Sequence, residues 1–336
     1  MNVLVVNAGS SSLKLRVLGE DDAVLAESHV QRWNGETDPL REFLTTAPPL
    51  GAAGHRVVHG GPDFTGPVRL DAAVRAALEQ LTDLAPLHQP RALAGVDAVT
   101  SLLPDVPQVA CFDTAFHATM PAFAATYALP APWRRKWGLR RYGFHGLSHA
   151  YAARRGVELA GLPDARVVSC HLGAGASLAA VHGGRSIDTT RGFTPLAGLV
   201  MATRSGDVDP GLLLWLLRAG LSLDELEDGL EHHSGLAGLS GTGDMRDVRT
   251  AAAAGDERAV LALEIYVHRL RQAICAMAAS LGGIDLLVFT GGIGEHDAVL
   301  RDEVVSGLGF LRIGGVHVVE AREDLEIAAQ TRAALA

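Results

Sequence analysis

An apolar run from Val3 to Val6 breaks at Asn7 into Ala8-Gly9-Ser10-Ser11-Ser12-Leu13-Lys14, so a strand ends in a small, hydroxyl-rich turn and resumes with a lysine. Gly9 permits a tight turn, and backbone N–H groups, hydroxyls and an ammonium then face one anion. That is a phosphate-holding hairpin in outline; taken alone, the same pattern also fits an ordinary hairpin with a polar tip.

The design recurs near the midpoint, where Val167-Val168-Ser169-Cys170-His171 runs into Leu172-Gly173-Ala174-Gly175-Ala176-Ser177 and on to Val181. Two similar hairpins predict two halves of related architecture facing one ligand. Further on, Asp285 to Phe289 reads as a buried strand, followed by Thr290-Gly291-Gly292-Ile293-Gly294-Glu295 and a helix starting near Asp297. Glycines between a strand end and a helix N-terminus let a nucleotide approach the backbone, and the helix dipole favours its phosphates. Neither G-x-x-x-x-G-K-[ST] nor a Rossmann G-x-G-x-x-G in its βαβ setting is present.

With 336 residues, 48% apolar and 20% charged, the chain has the composition of a well-cored globular protein large enough for two domains. A net charge of −9 argues against a nucleic-acid partner, and the nearest basic cluster, Arg134-Arg135-Lys136 with Arg140-Arg141, reads as a solvated surface or an anion-facing rim. The three cysteines, Cys111, Cys170 and Cys275, sit far apart in apolar segments and read as buried, reduced thiols. Neither a signal peptide nor a membrane-spanning run is expected, which fits a cytoplasmic protein without a membrane partner.

Strand-like runs at Val3 to Asn7, Leu13 to Leu18, Ala23 to Val30, His55 to His59 and Gln108 to Phe112 alternate with helical patterns at Ala72 to Leu81 and Arg91 to Leu103. In the second half, strands at Arg166 to His171, Ser177 to Val181 and Arg185 to Asp188 precede helices at Gly211 to Arg218, Asp224 to Glu231 and Asp256 to Leu281. Val316 to Val319 and the amphipathic stretch from Glu323 to Leu335 predict a last strand and a closing helix. The fold class is mixed α/β.

These motifs resemble the acetate and propionate kinase family from Asn7 to about Ala328. Besides the first hairpin, the resemblance is carried by His55-Arg56-Val57-Val58-His59-Gly60-Gly61, Cys111-Phe112-Asp113-Thr114-Ala115-Phe116-His117, Arg141-Tyr142-Gly143-Phe144-His145-Gly146, Gly192-Phe193-Thr194-Pro195-Leu196, Thr203-Arg204-Ser205-Gly206-Asp207 and the Phe289 to Glu295 segment. It implies two actin-like domains of the sugar-kinase type with mixed sheets, a nucleotide cleft between them, and a homodimer. The first domain would comprise residues 1–114 plus 324–336 and the nucleotide-binding one residues 115–323. The chain is shorter than many members, with gaps between Lys14 and Arg56, between His296 and Glu323, and a small one between Gly175 and Arg204.

The implied reaction is reversible transfer of a phosphoryl group from ATP to acetate, giving acetyl phosphate and ADP. The alternatives are a propionate or broad short-chain acyl kinase, and a non-catalytic nucleotide-binding sensor. An acceptor carboxylate is already ionised at neutral pH, so such a reaction needs charge neutralisation and alignment more than proton abstraction. Arginine suits both needs, because its planar fork binds two oxygens and stays charged. By resemblance Arg56 pairs with the acyl carboxylate, Arg204 and His145 stabilise the phosphoryl group in flight, and Asp113 takes a proton-transfer role. Its chemistry favours orienting an arginine or a metal-bound water instead. His149, one turn beyond His145, reads as structural. Val58, Leu87, Phe144 and Pro195 would wall the acyl group.

For ATP, the resemblance assigns Ser12, Lys14, His171, Leu172, Gly173, Ala174 and Gly175 to the phosphates. Asp244, Met245 and Arg246 fall on the nucleoside side, and Gly292, Ile293, Gly294, Glu295 and His296 in the adenosine pocket. Ala174 and His296 stand where the family commonly has Asn. The metal would be Mg²⁺, with Mn²⁺ as the alternative, near Asn7 and Glu323. The family's usual Pro-Thr-Asn or Pro-Thr-Asp before that glutamate is replaced by Glu320-Ala321-Arg322, and Asp324 is an adjacent candidate.

Overall fold

The computed structural model describes residues 1–9, 12–86 and 88–336, which divide into two compact units. The first comprises Met1–Ala118, Phe144–Tyr151 and Arg322–Ala336, and the second Thr119–Gly143 and Ala152–Ala321.

The first unit is built on six strands, β1 (Val3–Ala8), β2 (Ser12–Leu18), β3 (Val24–Gln31), β4 (Ala52–Val57), β5 (Val68–Arg69) and β6 (Gln108–Phe112), in the order β3-β2-β1-β4-β6-β5. Strands β1 to β3 form an antiparallel meander, while β1, β4 and β6 run parallel. The second unit has β7 (Val167–Leu172), β8 (Ala176–His182), β9 (Arg185–Thr189), β10 (Leu286–Thr290) and β11 (Gly315–Val318), in the order β11-β10-β7-β8-β9. Again three strands meander, and two more join β7 in parallel. The two hairpins expected from sequence, β1–β2 and β7–β8, thus hold equivalent places in two sheets that share a five-strand topology, to which the first adds β5 at its edge.

Alternation across the strands explains the layers. Leu4, Val6 and Ala8 point to one side of the first sheet, where they pack with Leu13, Trp33, Phe43 and Val99. Val3 and Val5 point to the other, where Cys111 of β6 joins them against Ile327 and Ala328 of the closing helix Glu323–Leu335. Helices on both faces bury β1, β4 and β6 almost completely, as parallel strands require. In the second unit, the long helix Glu257–Ser280 places Ala262, Tyr266, Leu270 and Ile274 in the core with Val168, Leu178 and Phe289. Its N-cap is Asp256, whose carboxylate accepts from the backbone N–H of Arg258 at 2.9 Å and of Ala259 at 3.4 Å.

Several expectations need correction. The strand expected over His55 to His59 is Ala52–Val57, because beyond Val57 the chain bends: Gly60 donates to the Thr114 hydroxyl and Gly61 to His59 Nδ1. The helix expected over Ala72 to Leu81 ends at Glu79, and a helix at Asp38–Thr46 was absent from the sequence reading. The glycine-rich segment after β10 is itself a short helix, Gly291–His296, preceding another at Ala298–Ser306. Glycine propensity disfavours a helix there, but Gly291, at φ +79°, lies so close to β7 that a Cβ would stand 2.7 Å from the Leu172 carbonyl oxygen. Cys111 and Cys170 are buried thiols as expected, whereas Cys275 is only half-buried. Among the described residues, no helix is long and apolar enough to cross a membrane.

Candidate active site

In the first unit, four expected residues meet at the carboxyl ends of the parallel strands. Register places Val6 beside His55 and Arg56 beside Cys111, so Asn7, Arg56 and Asp113 leave β1, β4 and β6 at one edge of the sheet. Arg56 donates from Nε to Asp113 Oδ1 at 3.0 Å and from Nη2 to Asp113 Oδ2 at 2.6 Å. Its Nη1 keeps only long contacts, 3.4 Å to Asn7 Oδ1 and 3.8 Å to Glu323 Oε2. Asn7 Nδ2 in turn donates to Glu323 Oε2 at 3.3 Å. Glu323 is the first residue of the closing helix, where a carboxylate is favoured by the dipole. Asp324, the adjacent candidate, is instead held by Arg16 at 3.0 Å and Arg322 at 2.9 Å.

This cluster is largely shielded from water: Asp113 is 1% exposed and the Arg56 side chain 19%. Burial raises the Asp113 carboxyl above its ordinary value against the pull of Arg56. Burial also opposes the charge on Arg56, but Asp113 and Glu323 outweigh it and hold the guanidinium above its ordinary value.

His145 has φ +58°, an uncommon conformation for a residue with a side chain and one that concentrates at functional sites. It immediately precedes the helix Gly146–Ala160. The Gly146 N–H donates to the Asp113 carbonyl at 2.8 Å, so the turn carrying Asp113 and the residue following His145 are joined directly. Only glycine fits there, since a Cβ would stand 2.2 Å from that oxygen. His149 is fully buried and lies 5.8 Å from the His117 ring. Of the acyl-wall residues, Val58 and Phe144 pack together with Ala85. Pro195 belongs to the second unit, and Leu87 lies outside the described residues.

In the second unit, the turn between β7 and β8 is closed by a hydrogen bond from Gly173 N to the Gly175 carbonyl at 3.0 Å. The loop that carries Arg204 is fastened to it, because Ala202 N donates to the Ala174 carbonyl at 3.0 Å. Arg204 Nε donates to Glu231 Oε2 at 2.5 Å, both side chains being less than one-fifth exposed. Glu231 lies in the last turn of a helix whose Leu230 carbonyl accepts from Ser205 N, and its own carbonyl accepts from Thr203 Oγ1 at 2.8 Å. The helix Leu223–His232 therefore holds the arginine both by its guanidinium and by its neighbours.

A cavity of about 520 Å³ opens beside this turn. Gly173, Ala174, Asp244, Met245, Arg246, Gly292, Ile293 and His296 line it, which brings together the phosphate, nucleoside and adenosine segments. Asp244 caps the helix Met245–Ala253, and its hydrogen bonds to the Arg246 side chain and backbone hold its carboxyl down at about 2. The remaining ATP-site residues lie elsewhere. Leu172 and Gly294 are buried, and Glu295 accepts from Ala321 N at 3.0 Å. Gly175 and His171 do not line the cavity, His171 being paired in register with Thr290. Ser12 and Lys14 belong to the first unit, where the Ser12 carbonyl accepts from Gly9 N and Lys14 is exposed in register with Asn7. A larger cavity of about 740 Å³ in the second unit is lined by none of the expected residues.

Sequence reasoning missed Glu231 and three residues that line the cavity, Gly243, Arg249 and Asp297. An isolated glutamate at a helix end carries no motif, whereas Arg249 stands one turn beyond Met245 and was within reach of a helical reading.

Residues 43–327 match the Acetokinase family as a whole. The acetate kinase of Coprothermobacter proteolyticus is 45% identical over an alignment that covers 93% of this chain and 88% of the relative. Among solved structures, Porphyromonas gingivalis acetate kinase matches with a TM-score of 0.93 at 36% identity, covering both chains completely. A propionate kinase from Francisella tularensis matches with a TM-score of 0.93 at 35% identity over 99% of each chain. Those likenesses bear out the two-domain α/β fold expected from the resemblance. With a family match over most of its length, a relative of nearly half its residues in common, and two sheets that share a five-strand topology and carry the family's motifs, the chain belongs to the acetokinase family.

Proposed function

We propose that this chain transfers the terminal phosphoryl group of ATP reversibly to acetate, forming acetyl phosphate and ADP. The observation that carries the reading is the cluster of Arg56, Asp113, Asn7 and Glu323 at the strand ends of the first unit. A non-catalytic nucleotide binder has no use for such a carboxylate clamp.

Asp113 occupies Nε and Nη2 of Arg56 and aims the fork, which leaves Nη1 to receive a carboxylate oxygen of the acid. Val58 and Phe144 supply an apolar wall suited to a short acyl chain. The acid arrives ionised, so alignment and charge neutralisation dominate the barrier. In the second unit, the Gly173–Gly175 turn receives the nucleotide phosphates, Asp244 to Arg246 the nucleoside, and the Gly292 to His296 segment the adenosine. Arg204 and His145 stabilise the phosphoryl group in flight, with Glu231 fixing the Arg204 fork.

The donor set suits Mg²⁺. Asn7 and Glu323 each offer a hard oxygen and are neighbours through the hydrogen bond that Asn7 Nδ2 donates to Glu323 Oε2, Glu323 is partly water-accessible, and Mg²⁺ commonly takes one or two protein ligands with waters and substrate phosphates. Bound there, it would neutralise phosphate charge. We place the chain in the cytoplasm as a homodimer. Two buried thiols suit a reducing compartment, and Leu212, Leu214 and Trp215 expose an apolar surface on the helix Pro210–Arg218.

The test is to incubate the protein with Mg-ATP and acetate, propionate or butyrate, trapping acyl phosphate with hydroxylamine and running Arg204→Ala alongside. Acetyl hydroxamate formed best, and lost in the variant, supports the reading. A propionate preference, the alternative to which the likeness to the Francisella tularensis propionate kinase points, changes the acid and keeps the mechanism. No product with any acid despite ATP binding overturns it.

A further inference from the structure

Arg249 belongs to none of the motifs, yet it lines the second unit's cavity together with His296 and Asp297. It stands on the helix Met245–Ala253, one turn beyond Met245. Two of its nitrogens are spoken for: Nε donates to Asp297 Oδ2 at 2.5 Å and Nη2 to Glu303 Oε2 at 3.1 Å. Asp297 is itself immobilised, since its other oxygen caps the helix Ala298–Ser306 by accepting from Leu300 N at 2.9 Å. Nη1 makes no hydrogen bond among the described residues, and the side chain remains 23% exposed. The result is a guanidinium locked in one orientation by two carboxylates, with one nitrogen unengaged among the described residues, on a side chain that lines the cavity. A preorganised donor loses little entropy on binding.

We propose that Arg249 is a nucleoside-binding residue, donating from Nη1 to an acceptor atom of the nucleotide, either the ribose 2′-hydroxyl or the purine N7. This rests on the assignment of the cavity to ATP. Arg249 touches the Asp297–His296 end of the lining, so it addresses the nucleoside and leaves the phosphates to the Gly173–Ala174 end. It also provides a charged donor in a cavity whose turn has Ala174 in place of an amide side chain.

Calorimetric titration of wild type, Arg249→Met, Glu303→Gln and Gly292→Leu with Mg-ATP, Mg-2′-deoxy-ATP and Mg-7-deaza-ATP tests this, with thermal melting of each variant. Arg249→Met is expected to weaken ATP binding about tenfold or more, as loss of a charged hydrogen bond does. That loss should shrink for the one analogue that lacks the acceptor, which tells ribose from base. Glu303→Gln loosens the same tether without removing the donor, so it should weaken ATP binding measurably but clearly less than Arg249→Met does. Equal weakening in Arg249→Met and Glu303→Gln reduces Arg249 to a structural role and overturns the proposal, as does an equal loss for all three nucleotides. Gly292→Leu projects into open space and fills the cavity. If it abolishes binding while Arg249→Met binds normally, only the Arg249 assignment falls; if both bind normally, the nucleotide assignment of the cavity falls with it.

Discussion

Arg56 gives two of its guanidinium nitrogens to Asp113, Nε at 3.0 Å and Nη2 at 2.6 Å, across 57 residues of sequence. The fork is thereby turned so that the remaining nitrogen points toward Asn7 and Glu323. We propose that Asp113 serves to orient Arg56, the role its chemistry favours over proton transfer.

Removing the carboxylate leaves a mostly buried guanidinium with only the more distant Glu323 as counter-charge. Asp113→Ala should destabilise the protein by about 3–5 kcal/mol, the usual cost of breaking a buried pair. Asp113→Asn, which keeps one acceptor oxygen, should cost less stability and reduce acyl phosphate formation by about 100-fold through misalignment. Urea unfolding and the hydroxamate assay measure the two separately. Wild-type turnover in Asp113→Asn would contradict an orienting carboxylate.

Glu231 is expected to matter although no motif contains it. Glu231→Gln retains an acceptor for Arg204 Nε but removes the charge that fixes the fork, so kcat should fall about 10- to 100-fold with the KM for ATP little changed. Steady-state kinetics beside Arg204→Ala decide the matter, and an unaltered kcat would reduce the pair to a structural tie.

Acid should unfold the first unit through its histidines. Burial pushes His55, His59 and His117 down to about 4 from an ordinary 6.5. Between those values the unfolded chain binds protons that the native one does not, so stability is full above about pH 6.5 and is lost as the pH falls toward 4. At pH 5 each contributes a destabilisation on the order of 1–2 kcal/mol. Unfolding midpoints in urea from pH 7.5 to 4.5 would show the decline. Replacement of fully buried His55 by Gln should flatten it.

Ala174 is exposed beside the cavity while its backbone carbonyl is engaged by Ala202. Ala174→Asn therefore adds an amide without disturbing the turn, and should tighten Mg-ATP binding by about tenfold, the effect of one hydrogen bond to a charged group. Calorimetry reads this directly; unchanged affinity would mean that the side chain at this position does not reach the phosphates.

Much of the architecture was legible because apolar runs of five to eight residues bounded by turn signals are strong evidence of strands. The β1–β2 and β7–β8 hairpins, the Gln108–Phe112 strand and the closing helix at Glu323–Leu335 stand where periodicity puts them. The helix at Gly291–His296 was not legible, since its local propensity opposes it and packing against Leu172 supports it. Nor were the partners of the arginines: Glu231 lies 27 residues beyond Arg204, and Asp297 lies 48 beyond Arg249.

By itself the sequence determined the residue types and the local frames that carry them: a strand before Asn7, a strand around Arg56, a strand ending at Phe112 before Asp113, and a helix beginning at Glu323. The meeting of these four groups was decided by tertiary structure alone, for Asn7 and Glu323 are 316 residues apart. Parallel pairing of β1, β4 and β6 brings three of them to one sheet edge, and packing of the closing helix beneath Val3, Val5 and Cys111 delivers the fourth. Side chains alternate along a strand, so a register shift of one residue would turn Arg56 to the opposite face and dissolve the site with every local element intact.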